Sequence, residues 1–404
     1  MSRLATDRTG FPATVPTTYA PKVQGAVVGV ASALLAGGAV ALAVPYGWRH
    51  AALFVVGGAL GLVLYHAAFG FTAAFRALVT AGDTRGLRAQ MLMLAVATVL
   101  FAPMLSAESV FGHDVAGAVA PAGLSVLLGA CVFAIGMQIA GGCGSGCLFN
   151  LGGGATPMLV ALAGFAAGSL VATTHGAFWG RLPSLGAISL GDTIGWGPAV
   201  VLQLAAFAVI ALVAKAYERR RLGDVRPVRP PVSGWRRVVH GPWSFAAGAI
   251  ALAILNALVV VLAGRPWGIA WGITLAGAKA ASLLGVDLAR VPFWSDGFPA
   301  DALAAPLLAD QTAVMDLGIV IGALLAAGLA GRFHVGRVPL ARGATALGGG
   351  LLLGYGARLG FGCNIGAYFS GIASTSVHGW IWLVGALIGT PLGVAVRRRL
   401  DGDS

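Results

Sequence analysis

The chain has 404 residues, of which 58% are hydrophobic and only 10% charged. Water-soluble domains carry about 25% charged residues, so this composition excludes a soluble globular protein. A formal net charge of +12 could suit nucleic acid, but the charge sits in loops between apolar runs, which marks the cytoplasmic side of a membrane protein instead.

Residues 1–22 read as a polar, proline-bearing tail in which no cleavable signal peptide is evident. Apolar runs of about 20 residues, the length that crosses a hydrocarbon core, predict helices over 23–44, 50–75, 88–105, 119–140, 155–174 and 196–217. ERRRLGDVRPVRPPVSGWRRVVHGP follows at 218–242, a basic, proline-rich linker. Further helices are predicted over 244–263, 266–286, 313–331, 343–361 and 377–396, before a tail at 397–404. The expected class is an all-α polytopic membrane protein, with one transmembrane repeat over 23–217 and another over 243–396. A membrane β-barrel would show shorter, alternating segments.

Lys215, Arg219, Arg220, Arg221, Arg226, Arg229, Arg236 and Arg237 surround the linker, and Arg397, Arg398 and Arg399 close the last helix. Such basic clusters place both segments in the cytoplasm, with the protein in the cell inner membrane and its C-terminus inside. Glu108, Asp114, Asp287, Asp296, Asp301 and Asp310 gather in loops expected outside. Counting every apolar run as a full span breaks this parity, so 266–286, and 50–75 with it, are expected to be partly re-entrant.

The halves echo one another. GMQIAGGCGSGCLF at 136–149 aligns with GARLGFGCNIGAYF at 356–369, matching Gly136 with Gly356, Gly142 with Gly362, Cys143 with Cys363, Gly146 with Gly366 and Phe149 with Phe369. FGFT at 69–72 echoes WGIT at 271–274 more weakly. Internal repeats in a polytopic chain predict a transporter or channel whose site lies near the midplane, where broken helices meet. With the 76–88 loop and the C-terminus both inside, the two cysteine loops approach from opposite sides, as inverted repeats would bring them.

Glycines flanking Cys143 and Cys363 let backbone N–H groups turn toward a bound anion, and a helix starting just after the loop adds its positive end. Irregular backbone at membrane depth is tolerated only inside protein or beside a cavity. A thiol is a weak, soft donor, suited to a ligand that itself presents sulfur. Cys131 reads as a small buried hydrophobe. Cys147 matches Ala367 in the other half, so the repeat does not support it, yet it lies one turn from Cys143. The four cysteines form neither a disulfide framework nor a zinc pattern. No cofactor is implied, and no phosphate-binding loop of the ATPase type is present. Arg76 and Lys279 could steer anions or simply snorkel. Arg358 could serve a pathway or reach the interface. His66 and His378 read as local hydrogen-bonding groups, and Asn364 as a polar contact beside Cys363.

AGGCGSGCLF and LGFGCNIGAYFSG…HGWIWLVGALIG resemble the two cysteine motifs of the YeeE/YedE family of membrane transporters for thiosulfate and related sulfur compounds, over essentially residues 23–396. The resemblance implies an hourglass-shaped helical protein whose cysteines pass thiosulfate inward through transient S–H···S hydrogen bonds. Cys143 and Cys363 match two of those positions. HAAFGFTAAFRAL at 66–78 resembles the family's first motif, with Gly70 where that motif has cysteine.

The reading is therefore uptake of a small sulfur-containing anion, thiosulfate first among them, by a transporter rather than an enzyme. The substrate-binding residues expected are Cys143, Cys363, Cys147, Gly142, Gly146, Gly362, Gly366, Asn364 and Gly70. The expected partners are the sulfur anion, the lipid bilayer and a cytoplasmic sulfur-handling protein docking on the basic linker, with no nucleic acid. The alternatives are another sulfur or selenium species, or a membrane thiol oxidoreductase using Cys143 and Cys147.

Overall fold

The computed structural model describes residues 22–228, 234 and 236–401. The expected N-terminal tail, apart from Lys22, lies outside the described residues, as do the centre of the linker and the last three positions of the C-terminal tail.

Within a bilayer, backbone N–H and C=O groups have only each other as partners, so apolar runs become helices. The first half contributes α1 (Gly25–Tyr46), α2 (Trp48–His66), α3 (Phe71–Ala81), α4 (Arg85–Ser106), α5 (Leu124–Ala140), α6 (Gly144–Gly152), α7 (Pro157–Thr174) and α8 (Trp196–Leu222). The second contributes α9 (Phe245–Ala263), α10 (Ala270–Leu283), α11 (Gln311–Leu329), α12 (Leu340–Leu359) and α13 (Val377–Asp401), with a π-helical segment at Asn364–Ser370 before α13. Among the described residues, nine helical stretches are long and apolar enough to cross a membrane. The protein is an all-α, multi-pass membrane protein. Its named strands form two short antiparallel pairs, β1 (Ser109–Val110) with β2 (His113–Asp114) and β3 (Pro121–Gly123) with β4 (Ser184–Ala187).

Several predicted boundaries move. The run 50–75 breaks after His66, where Ala68 takes φ 46, and resumes as α3. The run 266–286 forms only the 14-residue α10, about 21 Å long and short of the ~30 Å hydrocarbon core. The run 119–140 becomes helical only at Leu124, because Pro121–Gly123 pairs with β4. In the other direction, α8 continues through Leu222 into the predicted linker.

That extension is held by charge. Glu218, fully buried near the end of α8, accepts hydrogen bonds from Thr84 Oγ1 at 2.6 Å and Arg88 at 2.8 Å. Asp83 beside it pairs with Arg85 at 2.7 Å and Arg226 at 3.1 Å. Burial pulls the Asp83 carboxyl upward, but the hydrogen bonds and charge of Arg85, with the charge of Arg226, hold it below the ordinary carboxylate value.

Helices from the two halves pack in matched pairs: α2 with α11 and α4 with α9, then α5 with α13 and α7 with α12. Small residues make these crossings close, as is usual between membrane helices. At the centre α5 and α12 run antiparallel, with Gly129 against Gly360 and Gly136 against Gly349. The outer faces of α1 and α8 carry exposed Val30, Leu34, Val40, Val209, Leu212 and Val213. Such an apolar surface would be a liability in water and is ordinary against lipid.

Candidate functional site

Both cysteine loops are built alike. Gly141 ends α5 in the left-handed region at φ 84, and Cys143 then stands as the residue preceding α6 with φ −89 and ψ −170. In the second half Phe361 takes φ 57 and Gly362 φ 148, and Cys363 precedes the π-helical segment with φ −93 and ψ −169. The environments match as well. A Cβ on Gly142 would meet the N of Cys147 and the C of Gly146, and one on Gly362 would meet the N of Ala367 and the C of Gly366. The sequence echo is thus a structural echo, down to the backbone angles of the two cysteines.

The loops meet. A Cβ on Gly144 would lie 3.4 Å from Cys363 Sγ and 3.4 Å from Ile269 Cγ2. A Cβ on Gly146 would meet Cys143 Sγ at 3.4 Å, and one on Gly366 only Gly268 Cα at 3.9 Å. A Cβ at Gly144 or Gly146 would therefore sit in van der Waals contact with a thiol. Cys143, Cys147 and Cys363 are all buried free thiols. Cys143 Sγ shares a 3.4 Å contact with Ser145 Oγ, and Cys363 Sγ accepts from Ile365 N–H at 3.5 Å. Among the described residues no side chain caps α6, so its first turn presents N–H groups and the positive helix end at the place where the loops touch.

Neighbouring elements hold this geometry. Asn256 on α9 accepts from Trp267 N–H at 2.8 Å and donates to Ser370 Oγ at 3.1 Å, while Ser370 donates to Trp267 O at 2.7 Å. This ring ties the segment carrying Gly268 and Ile269 to the π-helical segment. Trp382 stacks on Tyr368 with ring centroids 5.9 Å apart and donates to Gly362 O at 3.2 Å. On the first loop's side, Gln138 accepts from Arg76 Nε at 2.9 Å and donates to Thr72 O at 3.3 Å, and its carbonyl accepts from Arg397 at 2.9 Å.

Of the residues singled out in sequence, Gly142, Cys143, Gly146, Cys147, Gly362, Cys363, Asn364 and Gly366 come together at the two loops. Asn364 is fully buried, and both its amide N and O lack a hydrogen-bond partner. Leaving such a group unpaired costs about 1–3 kcal/mol. Gly70 stands at the start of α3, lining a small cavity with Phe69, Gly86, Gln90 and Phe245, and Gln90 of this cavity accepts from Tyr368 Oη of the π-helical segment at 3.1 Å. Cys131 lies half-buried on α5, where its carbonyl meets Gly389 of α13. Arg76 is committed to Gln138, and Lys279 to the carbonyls of Leu303 and Ala305. Arg358 sits over the Phe293 ring at 4.6 Å. His378 bonds Ser376 Oγ at 2.7 Å, and His66 packs against Trp243. Each of these cationic and histidine groups thus has a protein neighbour.

Sequence reasoning passed over three polar groups here. Thr72 Oγ1 and Gln90 Nε2 are buried without partners, and so are both carboxylate oxygens of Asp316. A lone acid inside the apolar run 313–331 was the available signal for Asp316. Among the described residues no group of three or more His, Cys, Asp or Glu side chains could hold a metal ion.

Buried free thiols in paired glycine loops thus lie inside a bundle of membrane helices. A family model described as sulphur transport matches residues 66–392, and the chain belongs to this family, the YeeE/YedE transporters. It is also 27% identical over 352 residues to the thiosulfate transporter TsuA of Spirochaeta thermophila, covering 83% of this chain and 95% of that protein. The chain is a transporter of sulfur anions and not an enzyme, which removes the thiol oxidoreductase alternative.

Proposed function

We propose that the protein imports thiosulfate through a path on which Cys363 and Cys143 are successive stations. The observation that carries this reading is the meeting of the two loops, where a Cβ on Gly144 would lie 3.4 Å from Cys363 Sγ. An anion leaving one thiol would find the next within a single step, together with the open N–H groups of α6. Thiols bind weakly, and a conducting path needs sites that release what they capture. The relative from Spirochaeta thermophila, a thiosulfate transporter by name, supports the same substrate.

The halves are read as inverted repeats, supported by the antiparallel crossing of α5 and α12 and by the exchange of partners between halves. The ends of α8 and α13 carry Arg219, Arg220, Arg221, Arg398 and Arg399, which supports reading that face as the cytoplasmic side of an inner membrane. Cys363 then receives the ion from outside, and Cys143 passes it inward. The basic linker remains a candidate dock for a cytoplasmic sulfur-handling protein.

Cells lacking their own thiosulfate importers and expressing this chain should accumulate radiolabelled thiosulfate, with excess sulfate competing poorly. Equal competition by sulfate would argue for a hard-anion site and against the thiol path.

A further inference from the structure

Asp316 lies in the second turn of α11, only 6% exposed. Neither of its carboxylate oxygens has a hydrogen-bond partner. It faces bare backbone on α10, where a Cβ on Gly272 would sit 2.5 Å from Oδ2. Gly272 stands in the first turn of α10, just after Ile269, and Ile269 Cγ2 and Cys363 Sγ both lie 3.4 Å from the place a Cβ on Gly144 would take.

The other ionisable groups around it are occupied or distant in kind. Asp310, at the start of the same helix, accepts from Ala313 N–H at 2.9 Å and Trp271 Nε1 at 2.8 Å. Lys279 of α10 is taken by the Leu303 and Ala305 carbonyls, and His50 of α2 pairs with Leu308 O at 3.1 Å. Elsewhere α2 meets α11 through Phe54, Gly57 and Gly58, α6 through Gly152, and α1 through Val27 and Val28. Cys143, just before α6, and Cys147 within it are free thiols. No cation among the described residues meets Asp316.

An ionised carboxylate without donors is strongly disfavoured in a dry interior, whereas the neutral acid is tolerated. A sulfur dianion arriving at Cys363 sharpens the difference. It repels the carboxylate, but it accepts a hydrogen bond from the acid's O–H. Anion and proton therefore favour one another's binding, and such coupling is reciprocal.

Resting on the reading of Cys363 as a station for thiosulfate, we propose that Asp316 is a proton-binding site that makes thiosulfate entry a proton-coupled symport. Asp316 meets the anion as the neutral acid, and after each release a proton from the outer solution re-forms its O–H bond. That bond breaks on the inward side, and proton and anion both pass to cytoplasmic water with no change of oxidation state.

The test uses the purified full chain in phosphatidylethanolamine–phosphatidylglycerol vesicles with a trapped pH dye and labelled thiosulfate. An acid-outside gradient should speed wild-type uptake about tenfold, and adding thiosulfate should acidify the lumen. In Asp316→Asn the gradient should no longer accelerate uptake, and thiosulfate should move no protons. Thiosulfate uptake by wild type without lumen acidification would overturn the inference alone, as would full gradient dependence in Asp316→Asn. No thiosulfate uptake by wild type under any gradient would overturn both the inference and the proposed function. Should Asp316→Asn fail to reconstitute, the wild-type proton-to-thiosulfate ratio decides: one or more supports the proposal, and zero sinks it.

Discussion

Gly70 is the residue at which this chain departs most plainly from its family's cysteine pattern. It precedes α3 with φ −102 and ψ 116, a conformation open to any residue, and a Cβ there would meet only Ala73, at 3.7 Å. Glycine is therefore not required by the backbone. Gly70→Cys should fold with an unchanged melting temperature. If the small cavity beside it lies on the path, one added thiol–anion hydrogen bond of about 1 kcal/mol should raise thiosulfate uptake about fivefold. Unchanged uptake in a well-folded variant would place that cavity off the path. Cys143, Cys363 and their glycines were legible in the sequence because a rare residue type recurred in the same frame. Asn364 was legible only as a neighbour. Thr72 and Gln90 were hidden for a physical reason: a satisfied buried polar group and an unsatisfied one look identical until their surroundings are known, whereas Asp316 was visible as a lone acid in an apolar run and only its lack of partners was not.

At the scale of elements, the long apolar helices followed directly from the length and hydropathy of their runs. The breaks did not. An apolar run continues through Ala67 and Ala68 whether or not the backbone turns there, so the division of 50–75 into α2 and α3 left no mark on the hydropathy. The short α10 was visible only indirectly, through charge parity. A helix start was expected after each cysteine loop, and α6 supplies one, whereas Asn364–Ser370 winds as a π-helix. The glycine-rich α12 carries a further expectation. It packs along α7 so closely that a Cβ on Gly354 would lie 1.8 Å from Phe165 O and 2.6 Å from Ser169 N, while one on Gly348 would meet nothing within 4 Å. Gly354→Ala should cost about 1–3 kcal/mol or more through overpacking, and Gly348→Ala should cost little. Melting temperatures in detergent, followed by fluorescence-detected size exclusion, check the pair. Equal stability of the two variants would mean that the α7–α12 contact is looser than described.

For the whole molecule, the two halves contribute one partner each to the packed pairs α2–α11, α4–α9, α5–α13 and α7–α12. Neither half can then bury its inner face alone, and the site exists only where both are present. The paired motifs announced two halves in the sequence, but which helix packs on which was not readable, because every run was simply apolar. The basic ends of α8 and α13 and the Asp83–Arg226 and Glu218–Arg88 pairs fasten one face, while the cysteine loops converge inside. The central claim is that both thiols lie on one anion path. Its most direct test is uptake of labelled thiosulfate by wild type, Cys143→Ala and Cys363→Ala at matched amounts of protein in the membrane. The account predicts that either change abolishes most uptake while leaving folding intact, since each variant removes one of two consecutive stations. Uptake at the wild-type rate in the doubly substituted protein would contradict it.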